Sequence, residues 1–143
     1  MTVQDVNALG QAAQVASRKL ARLPTEDKNR VLLILAQLLR TDQEDVLSAN
    51  QEDYQEAKAE GLEESMLDRL LLTSDRLNGT ADEIQRVAEL PDPIGEVIET
   101  TSLPNGLITS RRRVPLGVVG SIYESRPNVT VDIFCLCLKS GNA

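Results

Sequence analysis

The stretch Val114–Ala143, VPLGVVGSIYESRPNVTVDIFCLCLKSGNA, decides how the chain is read. Its segment Gly117-Val118-Val119-Gly120-Ser121-Ile122-Tyr123 is apolar and β-branched, the composition of a parallel strand buried on both faces. A polar turn follows, Glu124-Ser125-Arg126-Pro127-Asn128, and then a run to Leu138 whose valines, Ile133 and Phe134 suit a strand while its length suits a helix. The ending arbitrates. Lys139-Ser140-Gly141-Asn142 is a helix stop, with Gly141 able to take the left-handed C′ conformation, and Asn128 offers an N-cap. The stretch therefore predicts strand, turn, helix: half of a βαβ unit, with the second parallel strand expected to begin after Ala143. Val129, Val131, Ile133, Phe134, Leu136 and Leu138 lie nearly all round the helix, so it expects cover on more than one side, and the isolated chain is expected to be poorly soluble.

Upstream, the first ninety residues predict a helical layer. Val3, Val6, Leu9, Ala13, Ala16 and Leu20 recur at helical spacing, with Thr2 and Asp5 as a capping box. Pro24 interrupts, and Thr25-Glu26-Asp27 restarts a helix whose stripe is Val31, Leu32, Leu35, Leu38 and Leu39. A more polar helix capped by Thr41 or Asp42 runs to Gly61, a short one spans Met66 to Leu71, and a fifth runs from Ser74 to Leu90 behind a Thr73 or Ser74 cap. After Pro91-Asp92-Pro93 the texture changes to Ile94, Val97, Ile98, Leu107 and Ile108 around Pro104-Asn105-Gly106, which predicts a hairpin. The expected organisation is a helical segment over 1–90, then hairpin and first strand-turn-helix over 91–143, an α/β class.

Composition excludes several functions. A net charge of −7 over 143 residues argues against nucleic acid, which needs clustered positive surface. No apolar run approaches the roughly 20 residues that span a bilayer, and a cytoplasmic location is expected. With no histidine, a Ser-His-Asp triad and imidazole metal sites are ruled out. Cys135 and Cys137 point about 200° apart on a helix, too far for one metal, and read as buried apolar side chains. The acidic residues Asp42, Asp45, Glu52, Asp53, Glu56 and Glu60 lack calcium-loop spacing and read as a solvated face. Arg111-Arg112-Arg113 alternate faces in an extended segment, rimming a sheet or meeting an anion.

Gly117 and Gly120 sit at the start of the predicted strand, so they do not form the G-x-G-x-x-G turn of a dinucleotide site, and close backbone packing accounts for them. The turn Glu124–Asn128 is the stronger site, because ligands of open α/β sheets bind outside the carboxyl ends of strands. Capping, turn formation and a solvated Glu-Arg pair account for the same residues equally well.

The strings Val114–Gly120, Ile122–Thr130 and Leu136–Ala143, with Leu67-Asp68-Arg69-Leu70-Leu71-Leu72-Thr73 and Leu90-Pro91-Asp92-Pro93-Ile94-Gly95, closely resemble the γ-glutamyl phosphate reductase family, also called glutamate-5-semialdehyde dehydrogenases. The resemblance implies an aldehyde-dehydrogenase-like fold: an amino-terminal helical layer and the start of a Rossmann-type parallel sheet, incomplete here. It implies NADPH-dependent reduction of γ-glutamyl phosphate to glutamate 5-semialdehyde with release of phosphate, the second step of proline biosynthesis. Family members are longer and use a downstream cysteine to form a thioester that hydride reduces. Neither Cys135 nor Cys137 matches that nucleophile, so no catalytic thiol is expected in this chain, which alone is expected to be inactive.

In the wider superfamily the turn after this strand carries a nicotinamide-side contact and an oxyanion-holding Asn. Carried onto this sequence, Ser125 and Asn128 become oxyanion or substrate contacts, Glu124 and Arg126 substrate contacts, and Tyr123 and Ser125 cofactor contacts. Glutamate 5-kinase is implied as a pathway partner, and a homo-oligomer for the complete enzyme. Two alternatives stand beside this: a non-catalytic helical interaction module, or the reductase part of a bifunctional pyrroline-5-carboxylate synthase, against which Met1 directly before the first helix argues.

Overall fold

Apolar side chains three and four residues apart on two helices set the core. In the computed structural model, which describes residues 3–124 and 126–143, α1 (Val3–Leu20), α2 (Thr25–Thr41), α3 (Gln43–Ala59), α4 (Glu64–Leu70) and α5 (Ser74–Glu89) precede a hairpin, β1 (Val97–Ser102) and β2 (Ile108–Arg112), and a last helix, α6 (Pro127–Lys139). Leu32 and Ala36 of α2 meet Ala81, Ile84 and Ala88 of α5, and Cys135 and Leu138 of α6 close the cluster. The alanines let the helices approach closely, while burial of Leu32, Ile84 and Leu138 contributes roughly 1.5–3 kcal/mol each.

The helix ends mostly follow the residue chemistry. Thr73 Oγ1 accepts the Arg76 amide at 3.2 Å and starts α5. Gly61, at φ +84°, ends α3 and lets the Leu62 amide donate back to the Ala57 carbonyl at 3.0 Å. Asp42 holds the cap position of α3, one of the two residues expected there, but its side chain makes no cap bond. Asp42, at φ −107°, ψ 21°, stays near helical geometry instead of the extended form a cap needs, and Thr41 Oγ1 bonds Asp42 Oδ1. On α1 Leu20 packs against the core and Ser17 is buried, while Val6 and Leu9 are exposed, so from Val6 onward the predicted stripe packs toward its carboxyl end. The Thr2 half of the capping box lies outside the described residues.

The hairpin is as predicted. β1 and β2 pair antiparallel with Thr100 opposite Ser110 and Ser102 opposite Ile108, and an irregularity between Val97 and Glu99 leaves Ile98 unpaired. Gly106 takes φ +84° in the turn, its amide bonded to the Leu103 carbonyl. Arg113 reaches Glu96 at 2.6 Å and Arg111 reaches Glu99 at 3.5 Å, so two of the three consecutive arginines rim the sheet.

Residues 117–123 correct an expectation: they form no strand, and Val118, Val119 and Ile122 are exposed where burial on both faces was predicted. A strand exists only by pairing, and here the pairing is one residue deep. The Ala143 amide donates to the Gly117 carbonyl at 2.9 Å and the Val119 amide to the Ala143 carbonyl at 2.7 Å, the alternation of a parallel ladder around Val118. Asn142 reinforces it, accepting the Gly117 amide at 2.9 Å. Gly141, at φ +71°, makes this return possible and, as predicted, ends α6.

The start of α6 is a second correction. Pro127, not Asn128, opens the helix, Arg126 holds the cap position without a side-chain bond, and Asn128 lies inside the first turn. Proline presets its own φ and loses nothing at a position whose amide has no helical partner, while biasing the preceding residue out of the α region.

A buried polar network ties the layers together. Lys28 Nζ, essentially inaccessible, donates to Asp92 Oδ2 at 2.9 Å and to the Lys139 carbonyl at 3.4 Å. Lys139 Nζ donates to Asn29 Oδ1 at 2.6 Å and the Ala88 carbonyl at 2.8 Å. Burial holds the Lys139 ammonium below its ordinary 10.5; nearby Asp92 pulls it up and Lys28 pushes it down.

Candidate functional site

The residues at and just before the polar turn border two separate depressions. Arg126 and Asn128 line a cleft of about 430 Å³ between the start of α6 and the α4–α5 corner. Tyr123 lies in a separate apolar groove with Val119, Phe134 and Ala143, its hydroxyl bonded to Thr130 Oγ1. Glu124 is exposed, and Ser125 lies outside the described residues. Of the described residues of the turn, Arg126 and Asn128 share the cleft and Glu124 lies outside it, while the ring of Tyr123 marks the groove beside the carboxyl end of residues 117–123.

The other wall of the cleft comes from residues the sequence reading did not select. Arg76 of α5 donates to Asp68 Oδ1 at 2.8 Å, to the Leu71 carbonyl at 2.7 Å and to the Asp68 carbonyl, closing the end of α4. Asn50, buried on α3, donates to the Leu70 carbonyl at 2.9 Å and accepts the Leu72 amide at 2.7 Å. These contacts fix the corner that carries Arg69, Leu71 and Leu72 into the cleft, with Thr80 and Glu83 of α5 beside them. The one sequence signal was Asp68-Arg69, a charged pair in the otherwise apolar string Leu67–Leu72.

Cys135 is buried, as the apolar reading expected, while Cys137 is only half-buried. Burial, with the Asp132 carboxylate adding to it, pushes the Cys135 thiol up to about 11, the reverse of what activates a nucleophile. Among the described residues no group of three or more His, Cys, Asp or Glu is placed to hold a metal, and no helix is long and apolar enough to cross a membrane.

No protein-family model matches the chain. Over 135 residues, 94% of its length, it is 55% identical to a protein of Escherichia coli O1:K1 named gamma-glutamyl phosphate reductase. The similarity is to gamma-glutamyl phosphate reductase. Crystal structures of the Thermotoga maritima and Saccharomyces cerevisiae gamma-glutamyl phosphate reductases superpose with TM-scores of 0.90 and 0.88, at 39% and 35% identity, each covering 93% of this chain. The chain spans about a third of these reductases: 32% of the E. coli and T. maritima proteins and 34% of the yeast one. The resemblance carried by Val114–Ala143 is therefore borne out, and the helical layer with its small sheet fits an incomplete α/β fold of the aldehyde-dehydrogenase-like type.

Proposed function

We propose that this chain forms part of a γ-glutamyl phosphate reductase, an oxidoreductase of proline biosynthesis that converts γ-glutamyl phosphate, NADPH and a proton to glutamate 5-semialdehyde, phosphate and NADP⁺. The observation that carries the reading is 55% identity over 94% of the chain. In this reading Arg126 attracts the acyl phosphate, and Asn128 donates from its carboxamide to the carbonyl oxygen as that oxygen gains charge, with Ser125 sharing the role. Glu124 serves the substrate from the exposed side of the turn.

For NADPH the fit is partial. Tyr123 offers an aromatic face beside the apolar groove, and Ser125 is assigned to the cofactor with it, but residues 117–128 hold no glycine-rich turn to cradle a pyrophosphate. No step is therefore assigned to the cofactor from these residues. NADPH supplies the hydride, and this chain's part is to bind and orient the acyl phosphate.

With Cys135 buried and its thiol raised, the isolated 143 residues are inactive in this reading. Cytoplasmic location, glutamate 5-kinase as the supplier of the unstable acyl phosphate, and self-association of the complete enzyme belong to the same proposal. A chimera tests it, with this chain replacing the matching 135 residues of the E. coli reductase. Phosphate- and NADP⁺-dependent oxidation of glutamate 5-semialdehyde is expected from the chimera and not from the 143-residue chain. A soluble, folded chimera without activity, or turnover by the chain alone, would overturn it.

A further inference from the structure

The cleft between the α4–α5 corner and α6 has a charge pattern that the turn alone does not explain. Five charged side chains line it: Asp68, Arg69, Arg76, Glu83 and Arg126. Arg76 and Asp68 are committed to each other and to the end of α4. Among the described residues Arg69, Glu83 and Arg126 have no ion-pair or side-chain hydrogen-bond partner, although all three border the same 430 Å³ space. Two cations and one anion thus remain free to face a ligand.

We infer that Arg69 and Glu83 read the α-amino-carboxylate end of the substrate, the guanidinium taking the carboxylate and the Glu83 carboxylate taking the ammonium. The inference rests on the reductase reading, because γ-glutamyl phosphate carries two anionic groups and one cationic group, the complement of what the cleft leaves free. Arg126 and Asn128, at the start of α6, face the acyl end, and Arg69 and Glu83 come from the opposite wall. A carboxylate and a guanidinium that line one cleft without pairing retain their charges for a zwitterion, and a planar guanidinium suits a carboxylate. The corner is held by Arg76 and Asn50, so Arg69 is presented from fixed backbone. Arg69 and Glu83 are specificity determinants in this account, distant from the reacting carbonyl.

The test uses the 143-residue chain with L-glutamate, whose γ-carboxylate stands for the acyl phosphate, and glutarate, which lacks the ammonium. Calorimetry, with amide NMR shifts at Gly79 and Asn128 to place the ligand, should find glutarate weaker by about tenfold, the effect of about one charge-assisted hydrogen bond. Glu83→Gln should erase that preference, Arg69→Gln should weaken both ligands by about tenfold, and Arg69→Lys should recover part of the loss. Equal binding of the two ligands, no binding, or a preference that survives Glu83→Gln overturns the assignment. In the chimera, unchanged KM for the semialdehyde in both Gln variants sinks the assignment and leaves the reductase reading intact. An inactive chimera whose chain still prefers L-glutamate sinks only the reductase reading.

Discussion

Removing the Asp92 carboxylate should be the most costly single change in the polar network. In Asp92→Ala, Lys28, only 1% exposed, would keep one distant acceptor, the Lys139 carbonyl at 3.4 Å. Leaving one member of a buried pair uncompensated costs roughly 3–5 kcal/mol, which for a chain of this size lowers Tm by about 10–15 °C. Lys28→Met should cost less, because Asp92 is 11% exposed and keeps the Thr25 hydroxyl at 2.8 Å and the Ile94 amide at 2.9 Å. The double variant should recover most of the Asp92→Ala loss, since replacing both charges removes the orphan. The acid dependence follows from Asp92 itself. Burial pushes its carboxyl up, but hydrogen bonds from Lys28, the Ile94 amide and Thr25, with the Lys28 charge, outweigh this and hold it below 3.8. A lowered folded pKa means the stabilisation is fully present above the unfolded value and is lost as pH falls through the folded one. Urea unfolding at a series of pH values reads all of this. The gap between wild type and Asp92→Ala should hold from neutral pH to about 4 and shrink below. A gap under about 1 kcal/mol at neutral pH, or Lys28→Met costing more than Asp92→Ala, would refute the reasoning.

Gly141→Ala should lose about 1–3 kcal/mol in urea unfolding, because φ is +71° and a Cβ there would stand 3.0 Å from Pro115 Cγ. Asn50→Ala should lose about 1–3 kcal/mol by leaving the half-buried Leu72 amide bare, and should weaken L-glutamate binding because the cleft corner loosens. Alkylation by iodoacetamide at neutral pH, followed by peptide mass spectrometry, should modify Cys137 before Cys135, whose thiol is buried and raised to about 11. Equal modification in the folded chain would show that the α5–α6 packing opens readily.

The legible parts of the fold were those set by neighbours in sequence. Thr73 caps because its hydroxyl reaches an amide three residues on, and Gly61, Gly106 and Gly141 appear where positive φ is needed. Two errors at the decisive stretch arose from the same kind of reasoning taken one step too far. Asn128 has cap chemistry, but Pro127 had already chosen the helix start, and the β-branched run 117–123 has strand composition without a strand's pairing. Of the candidate site, Arg126 and Asn128 were visible because they follow a predicted strand. Arg69, Arg76 and Glu83 were not, since nothing local joins them to residues some fifty positions away.

The sequence by itself determined five helices, a hairpin, the last helix ending before Gly141 and the family it resembles, because caps, periodicity and turn residues act within a few bonds. Only the tertiary structure decided which charges are used and which are free. Arg76 is consumed by Asp68 and the α4 carbonyls, Lys28 by Asp92, while Arg69, Glu83 and Arg126 are left facing one cleft. Electrostatic pairing depends on distance in space, and α5 and α6 are brought together by the core of Leu32, Ala81, Ile84 and Cys135 and by the Lys139 bond to the Ala88 carbonyl.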